Sequence, residues 1–238
     1  MVAKFVDDIL KAPTLQHAVK RIGESPLETA ENILSAEQTK FAIATWRVRD
    51  FIEYALKYFT NVGTDGTVQQ RAREAIESAL ANARQNSNKH IRKAAEEILP
   101  LIERLIVEHD LRWFQPCGSI EIRLSKRVKT RANPLGIARF GDEVVVLWPQ
   151  TWKRDSLIAF QFNLLITILH RKFIDERPEI SGVMWVELSA PTASNERELS
   201  VRTSEAAAQL STDDLDKVSA DLEKALLLIE KKTGETRR

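Results

Sequence analysis

The run from Asp155 to Ile174, DSLIAFQFNLLITILHRKFI, is the most apolar stretch of the chain and constrains its fold more than any other. Its polar residues Ser156, Asn163, Thr167 and His170 are separated by seven, four and three positions, which on a helix places them on one narrow stripe. Leu157, Ile158, Leu164, Leu165, Ile168 and Leu169 cover one flank, and Phe160, Phe162, Ile166 and Phe173 the other. A helix apolar over most of its circumference is buried against a sheet or between other helices. Gln161, Asn163 and Thr167 keep it short of the roughly 20 apolar residues that span a bilayer. The stretch reads as a core helix started by Asp155 or Ser156.

Upstream, the chain reads as helix after helix. Phe5, Ile9 and Leu10 mark a short opening turn, and Thr14 to Ile22 a second helix stopped by Gly23. Ser25-Pro26-Leu27-Glu28 is a helix start: serine accepts from orphan amides, proline suits the first helical position, and glutamate reaches back. Ser35-Ala36-Glu37-Gln38 repeats the device, and predicts a long helix from there through Trp46, Phe51 and Phe59. After a turn at Asn61 to Thr67, a polar helix runs from Val68 to about Ala83. Asn86-Ser87-Asn88 caps another from Lys89 to His109, which Pro100 should kink. Short polar turns between these helices predict an antiparallel bundle over residues 1–110.

The periodicity then changes. Ser119 to Leu124 alternates as a half-buried strand, and Ile137 to Trp148 reads as two strands around a Gly141-Asp142 hairpin turn. Between them, Ser125 to Pro134 (SKRVKTRANP) reads as a basic, mobile loop, residues 125–134. Val183 to Leu188 is a further strand, and Glu196 to Arg202 its hairpin partner. A last helix, 211–232, is capped by Ser211-Thr212-Asp213-Asp214 and carries an apolar seam at Leu215, Val218, Leu222, Ala225 and Ile229. The expected fold class is therefore α+β. An N-terminal helical bundle (1–110) precedes a small, mostly antiparallel sheet packed on the buried helix, with a C-terminal helix completing residues 111–238.

Net charge is only +1, but it is unevenly spread: from Leu111 to Arg154 nine basic residues face three acids. Arg123, Lys126, Arg127, Lys129, Arg131 and Arg139 are the expected contacts to a nucleic-acid phosphate backbone, with Trp148 or Trp152 available for stacking. Trp148-Pro149-Gln150-Thr151-Trp152 could also form an exposed interaction loop. A single cysteine, Cys117, excludes an internal disulfide and a cysteine-based zinc site and fits a reducing compartment, so a cytoplasmic location is expected. Acids near the N-terminus stand where a secretory signal would be apolar, so no targeting peptide is expected.

The sequence contains no Gly-rich phosphate loop, no GxSxG and no HExxH, which removes most nucleotide-driven and covalent chemistry; no cofactor and no metal are expected. Two segments, Arg84 to His90 and Arg104 to His109, place arginine a few residues ahead of histidine. They resemble the short signature of HEPN-type RNases, helical-bundle proteins in which the Arg and His of a dimer cleave RNA without metal. That family usually has a polar residue after the arginine; Gln85 conforms and Leu105 does not. For a metal-dependent nuclease, Glu121, Asp142, Glu143 and Glu187 lie in or beside strands, but none stands in an acid-x-Lys arrangement. The reading that follows is a non-catalytic accessory or interaction subunit of a larger assembly, binding nucleic acid through the basic loop. The alternatives are a nuclease of either kind and a protein adaptor that docks or self-associates through the C-terminal helix, with no membrane partner.

Overall fold

The computed structural model describes residues 15–38, 47–61, 65–152, 157–175, 177–191 and 194–235. Among them, helices α1 (Leu15–Arg21), α2 (Pro26–Gln38), α3 (Val48–Asn61), α4 (Val68–Arg84) and α5 (Lys89–Glu108) precede the first strand. The expected opening turn at Phe5–Leu10 lies outside the described residues. α2 opens as its sequence predicts. Ser25 Oγ accepts the Glu28 amide at 3.2 Å and the Glu28 carboxylate accepts the Glu24 amide at 2.9 Å. The second such motif behaves differently. Ser35 through Gln38 form the end of α2 rather than the start of a new helix. Ser35 Oγ donates to the Asn32 carbonyl of its own helix, at 3.1 Å, so it is spent within the helix instead of capping the next one. The helix that follows runs from Val48, and the residues between lie outside the description.

Three of these helices form a close-packed layer. α3 buries Val48, Phe51, Ile52, Ala55, Leu56 and Phe59, alternating steps of three and one. α4 presents a stripe of small residues, Ala72, Ala75, Ala79 and Ala83, that lets its neighbours approach. It is capped by Thr67, whose Oγ1 accepts the Gln70 amide at 3.2 Å. α5 is capped by Asn88, which accepts the His90 amide at 2.9 Å, and Pro100 lies within it on the exposed side.

The main sheet has the order β1-β4-β5-β6-β7, from strands β1 (Leu111–Pro116), β4 (Gly136–Phe140), β5 (Glu143–Gln150), β6 (Gly182–Glu187) and β7 (Ser200–Thr203). A separate hairpin joins β2 (Ile120–Arg123) and β3 (Lys129–Ala132). The architecture is α+β, as expected. All pairings are antiparallel except β5 with β6. That pair is parallel because the apolar helix, α6 (Ala159–Phe173), carries the chain back across the sheet between them. The strands of this parallel pair are buried on both faces, so they read as continuous apolar runs. Val145 and Leu147 of β5 with Met184 and Val186 of β6 face α3–α5. Val146 and Trp148 with Val183 and Trp185 face α1 and α6.

Some expectations change here. The segment 125–134 is not a loop throughout. Lys129 to Ala132 form β3, with Thr130 and Ala132 buried, and a tight turn closed by the Leu124 amide on the Val128 carbonyl at 2.9 Å. The stretch from Trp148 to Trp152 is not an exposed loop either. β5 continues to Gln150, and Trp148 and Gln150 are wholly buried. Proline is tolerated at 149 because β4 has already ended opposite Leu147, leaving no ladder bond on that side for its absent N–H. β7 is shorter than the alternation from Glu196 implied, since Arg197 turns inward. β1 was not expected as a strand. Gly136 is required where β4 passes β1, because a side chain there would meet the Gln115 carbonyl and the Phe114 ring.

The last helix, α7 (Thr212–Glu235), is capped reciprocally by Ser211 and Asp214: the Asp214 amide donates to Ser211 Oγ at 3.1 Å, and the Ser211 amide to the Asp214 carboxylate at 3.0 Å. Its predicted seam is divided within the chain. Leu222, Ala225 and Ile229 pack on Ala30 and Ile33 of α2 and on Val128, while Leu215 and Val218 border the core under α6. No helix of the described residues is long and apolar enough to cross a membrane.

Candidate functional site

The β2–β3 hairpin sets a basic face by simple alternation. Ile122, Thr130 and Ala132 turn inward; Glu121, Arg123, Lys129 and Arg131 turn outward. The register places Arg123 directly opposite Lys129 and Glu121 opposite Arg131. Two like charges directly across a ladder disfavour pairing, so this face carries charge that the hairpin itself does not need. Glu121 relieves part of it through a 2.8 Å ion pair with Lys129, whose hydrogen bond holds the carboxyl below the usual range. Lys126 projects from the turn, exposed.

The other two basic residues of the expected interface go elsewhere. The Arg127 amide donates to Glu223 at 2.9 Å and its guanidinium pairs with Glu230, so this residue fastens the hairpin turn to α7. Arg139 lies on β4 of the main sheet, between Trp113 and Val144. Its Nε donates to the Gly141 carbonyl at 3.1 Å beside Asp142. Trp148 is buried and cannot stack on a base. Trp152 is covered by the His17 ring, 4.7 Å away, and by Lys20, 5.1 Å from its centroid.

A groove of about 370 Å³ adjoins the hairpin turn, between α6 and α7. Its floor is aliphatic, made by Ile122, Leu124, Leu164, Ile168, Leu215 and Val218. Arg123 and Lys126 border it from the hairpin and Arg171 and Lys172 from the last turn of α6, against the single acid Asp216. Two cations at a helix C-terminus also suit its dipole. Arg171 is held in place, donating to Thr212 Oγ1 at 3.2 Å and to the Leu210 carbonyl at 3.4 Å. Along the sequence, Arg171 and Lys172 are simply the cations that end an apolar helix. Nothing local connects them to a hairpin so distant along the chain.

The polar stripe of α6 is structural. Thr167 Oγ1 donates to the Asn163 carbonyl at 2.7 Å and accepts the Leu210 amide at 2.9 Å. His170 Nδ1 lies 3.1 Å from the Asp175 carboxylate, and Ser156 is outside the described residues. Of the arginine–histidine pairs, Arg84 ends α4 and His90 opens α5, with the capping break between them. Arg104 pairs with Glu108 at 2.9 Å, and the His109 ring packs edge-on to Phe140.

Among the carboxylates, Glu187 is engaged by Arg202 at 2.6 Å and by Ser189 at 2.9 Å. No three of His, Cys, Asp or Glu among the described residues converge as metal ligands would. A second cleft, of about 230 Å³, is lined by Arg49, Asp50, Glu53, Cys117, Ser119 and Asn133. Burial pushes the Cys117 thiol up to about 11, so it stays protonated and unreactive at neutral pH. Burial lowers Arg49 to about 10; its guanidinium donates to the Asn133 carbonyl and lies 5.7 Å from the Trp148 ring centroid.

The fold and site together define a mixed-sheet α+β protein with a basic hairpin beside an aliphatic groove. Comparison with protein-family models, with curated proteins and with solved structures gives no match.

Proposed function

We propose that the protein is a non-catalytic accessory or interaction subunit that binds the phosphate backbone of nucleic acid through the outward face of the β2–β3 hairpin. The observation that carries this reading is the opposition of Arg123 and Lys129, flanked by Arg131 and Lys126, on one exposed face of the hairpin, where Glu121 is the only acid of the two strands and their turn among the described residues. Phosphates spaced along a backbone would relieve that repulsion, and release of their counterions would drive association. Backbone contact carries no base readout, so sequence preference is not part of the reading.

Fluorescence anisotropy with a labelled oligonucleotide tests it. With about four phosphate contacts, log affinity should fall with log salt at a slope of about −3. The triple variant Lys126→Gln, Lys129→Gln, Arg131→Gln should flatten that slope by about two. Arg139→Gln should leave it unchanged. Binding that ignores salt, no binding, or equal losses from Arg139→Gln would each remove the hairpin face from consideration.

A further inference from the structure

We propose that the groove between the hairpin turn, α6 and α7 binds a free aliphatic carboxylate, with its chain on the groove floor and its head among Arg123, Lys126 and Lys172. Three features argue for that ligand. The volume, about 370 Å³, falls in the range of small-molecule sites. The lining contains aliphatic side chains and no aromatic, which suits a hydrocarbon chain and offers a nucleobase nothing to stack on.

The third feature is charge. Four cations and one acid surround an apolar floor, and Arg123, Lys126 and Lys172 make no ion pair among the described residues. Arg171 is already committed to Thr212 and Leu210, so it shapes the wall between α6 and α7. An apolar body with one anionic end is the chemistry that satisfies both the floor and the rim at once. This inference does not rest on nucleic-acid binding, although the two sites share Arg123 and Lys126.

Isothermal titration calorimetry of the full chain with decanoate, kept monomeric, tests it against decanol and decyltrimethylammonium. Decanoate should saturate a single site, with decanol about tenfold weaker and decyltrimethylammonium without measurable binding. The double variant Arg123→Gln, Lys126→Gln should weaken decanoate about tenfold and leave decanol unchanged, which separates head from chain. Ser219→Phe, which fills the groove from α7, should abolish binding of both while the thermal midpoint stays near wild type. Equal binding of the three amphiphiles, several equivalents bound per chain, or wild-type affinity in Ser219→Phe would overturn the proposal. So would binding to dioleoyl-phosphatidylglycerol vesicles without binding of free decanoate, which would make the patch a lipid-surface contact.

Discussion

The two faces of the main sheet are both buried, yet they are built on different principles. The face under α3, α4 and α5 is packed from aliphatic and small residues, with Phe51, Phe59, Phe114 and Phe140 as its buried aromatics, Tyr58 partly buried beside them, and the alanine stripe of α4 drawing the helices together. The face under α1 and α6 mixes apolar packing with buried polar bonds. Trp148 Nε1 donates to Gln16 Oε1 at 3.2 Å, Gln161 donates to the Lys20 and Ile22 carbonyls at 2.8 and 3.1 Å, and Arg202 lies 4.4 Å from the Phe162 ring centroid. Hydrogen bonds of this kind add little net stability but fix one arrangement of the elements they join. The basic hairpin and the aliphatic groove both lie on that second side. The first face supplies stability, and the second supplies position.

The comparison can be tested by substitution, starting with the largest expected effect. Ile102, fully buried in α5, should cost about 3 kcal/mol when replaced by alanine, through lost burial and the cavity left behind. Its denaturation midpoint should drop accordingly, and a loss below about 1 kcal/mol would mean that the first face is loosely packed.

Arg197 is the charged exception at the end of the sheet. Its side chain is 2% exposed, pairs with Glu97 of α5 at 3.0 Å, and donates to the Thr151, Trp152 and Leu188 carbonyls. Arg197→Met should cost about 2 to 3 kcal/mol, because three carbonyls lose their donor together. Glu97→Gln should cost less than half of that, since Glu97 is partly open to solvent and the carbonyl bonds survive. Equal losses in urea titrations of the two variants would show that the ion pair, not the carbonyl cluster, does the anchoring.

A further effect, smaller than that of Ile102, concerns pH and the second face. Burial, with Arg21 and Lys20 nearby, lowers His17 from 6.5 to about 4, so the folded chain holds it neutral where the unfolded chain would protonate it. Stability present at neutral pH is therefore lost as pH falls from 6.5 towards 4. Its size should be about 2 kcal/mol, less than the full linkage value because water reaches part of the ring. Thermal midpoints across that window should fall less steeply in His17→Gln than in wild type; parallel curves would assign the acid sensitivity to other groups.

These regions differ equally in how much their sequences disclose. The α3–α5 layer was legible because its signals are local. Thr67 and Asn88 announce helix starts, and Val48 to Phe59 repeats at helical spacing. The outer strands were harder. In β3 the inward positions are Thr130 and Ala132, too small or too polar to mark alternation against three neighbouring cations, so the segment resembled a solvated loop. In β1 an irregularity between Leu111 and Trp113 breaks the period of two. The parallel pairing of β5 and β6 could have been anticipated from strand, helix and strand in succession, since a crossover through α6 favours that direction. Of the candidate site, Arg123, Lys129 and Arg131 share a surface by strand alternation, with Lys126 on the turn between them. Arg127 and Arg139 were separated from them by contacts to α7 and to the β4–β5 turn, which no local pattern encodes.

The same irregularity in β1 has a bearing on behaviour at high concentration. An open sheet exposes two outer strands whose free amides and carbonyls can recruit another chain, the first step towards fibrils. Here one margin is β1, whose register shifts between Leu111 and Trp113 and which ends in Pro116, a residue with no amide to offer. The other is β7, only four residues long, with Arg202 drawn back onto Glu187. Neither margin presents a straight row of unpaired groups, so strand-by-strand growth between copies finds no template at either end of the sheet.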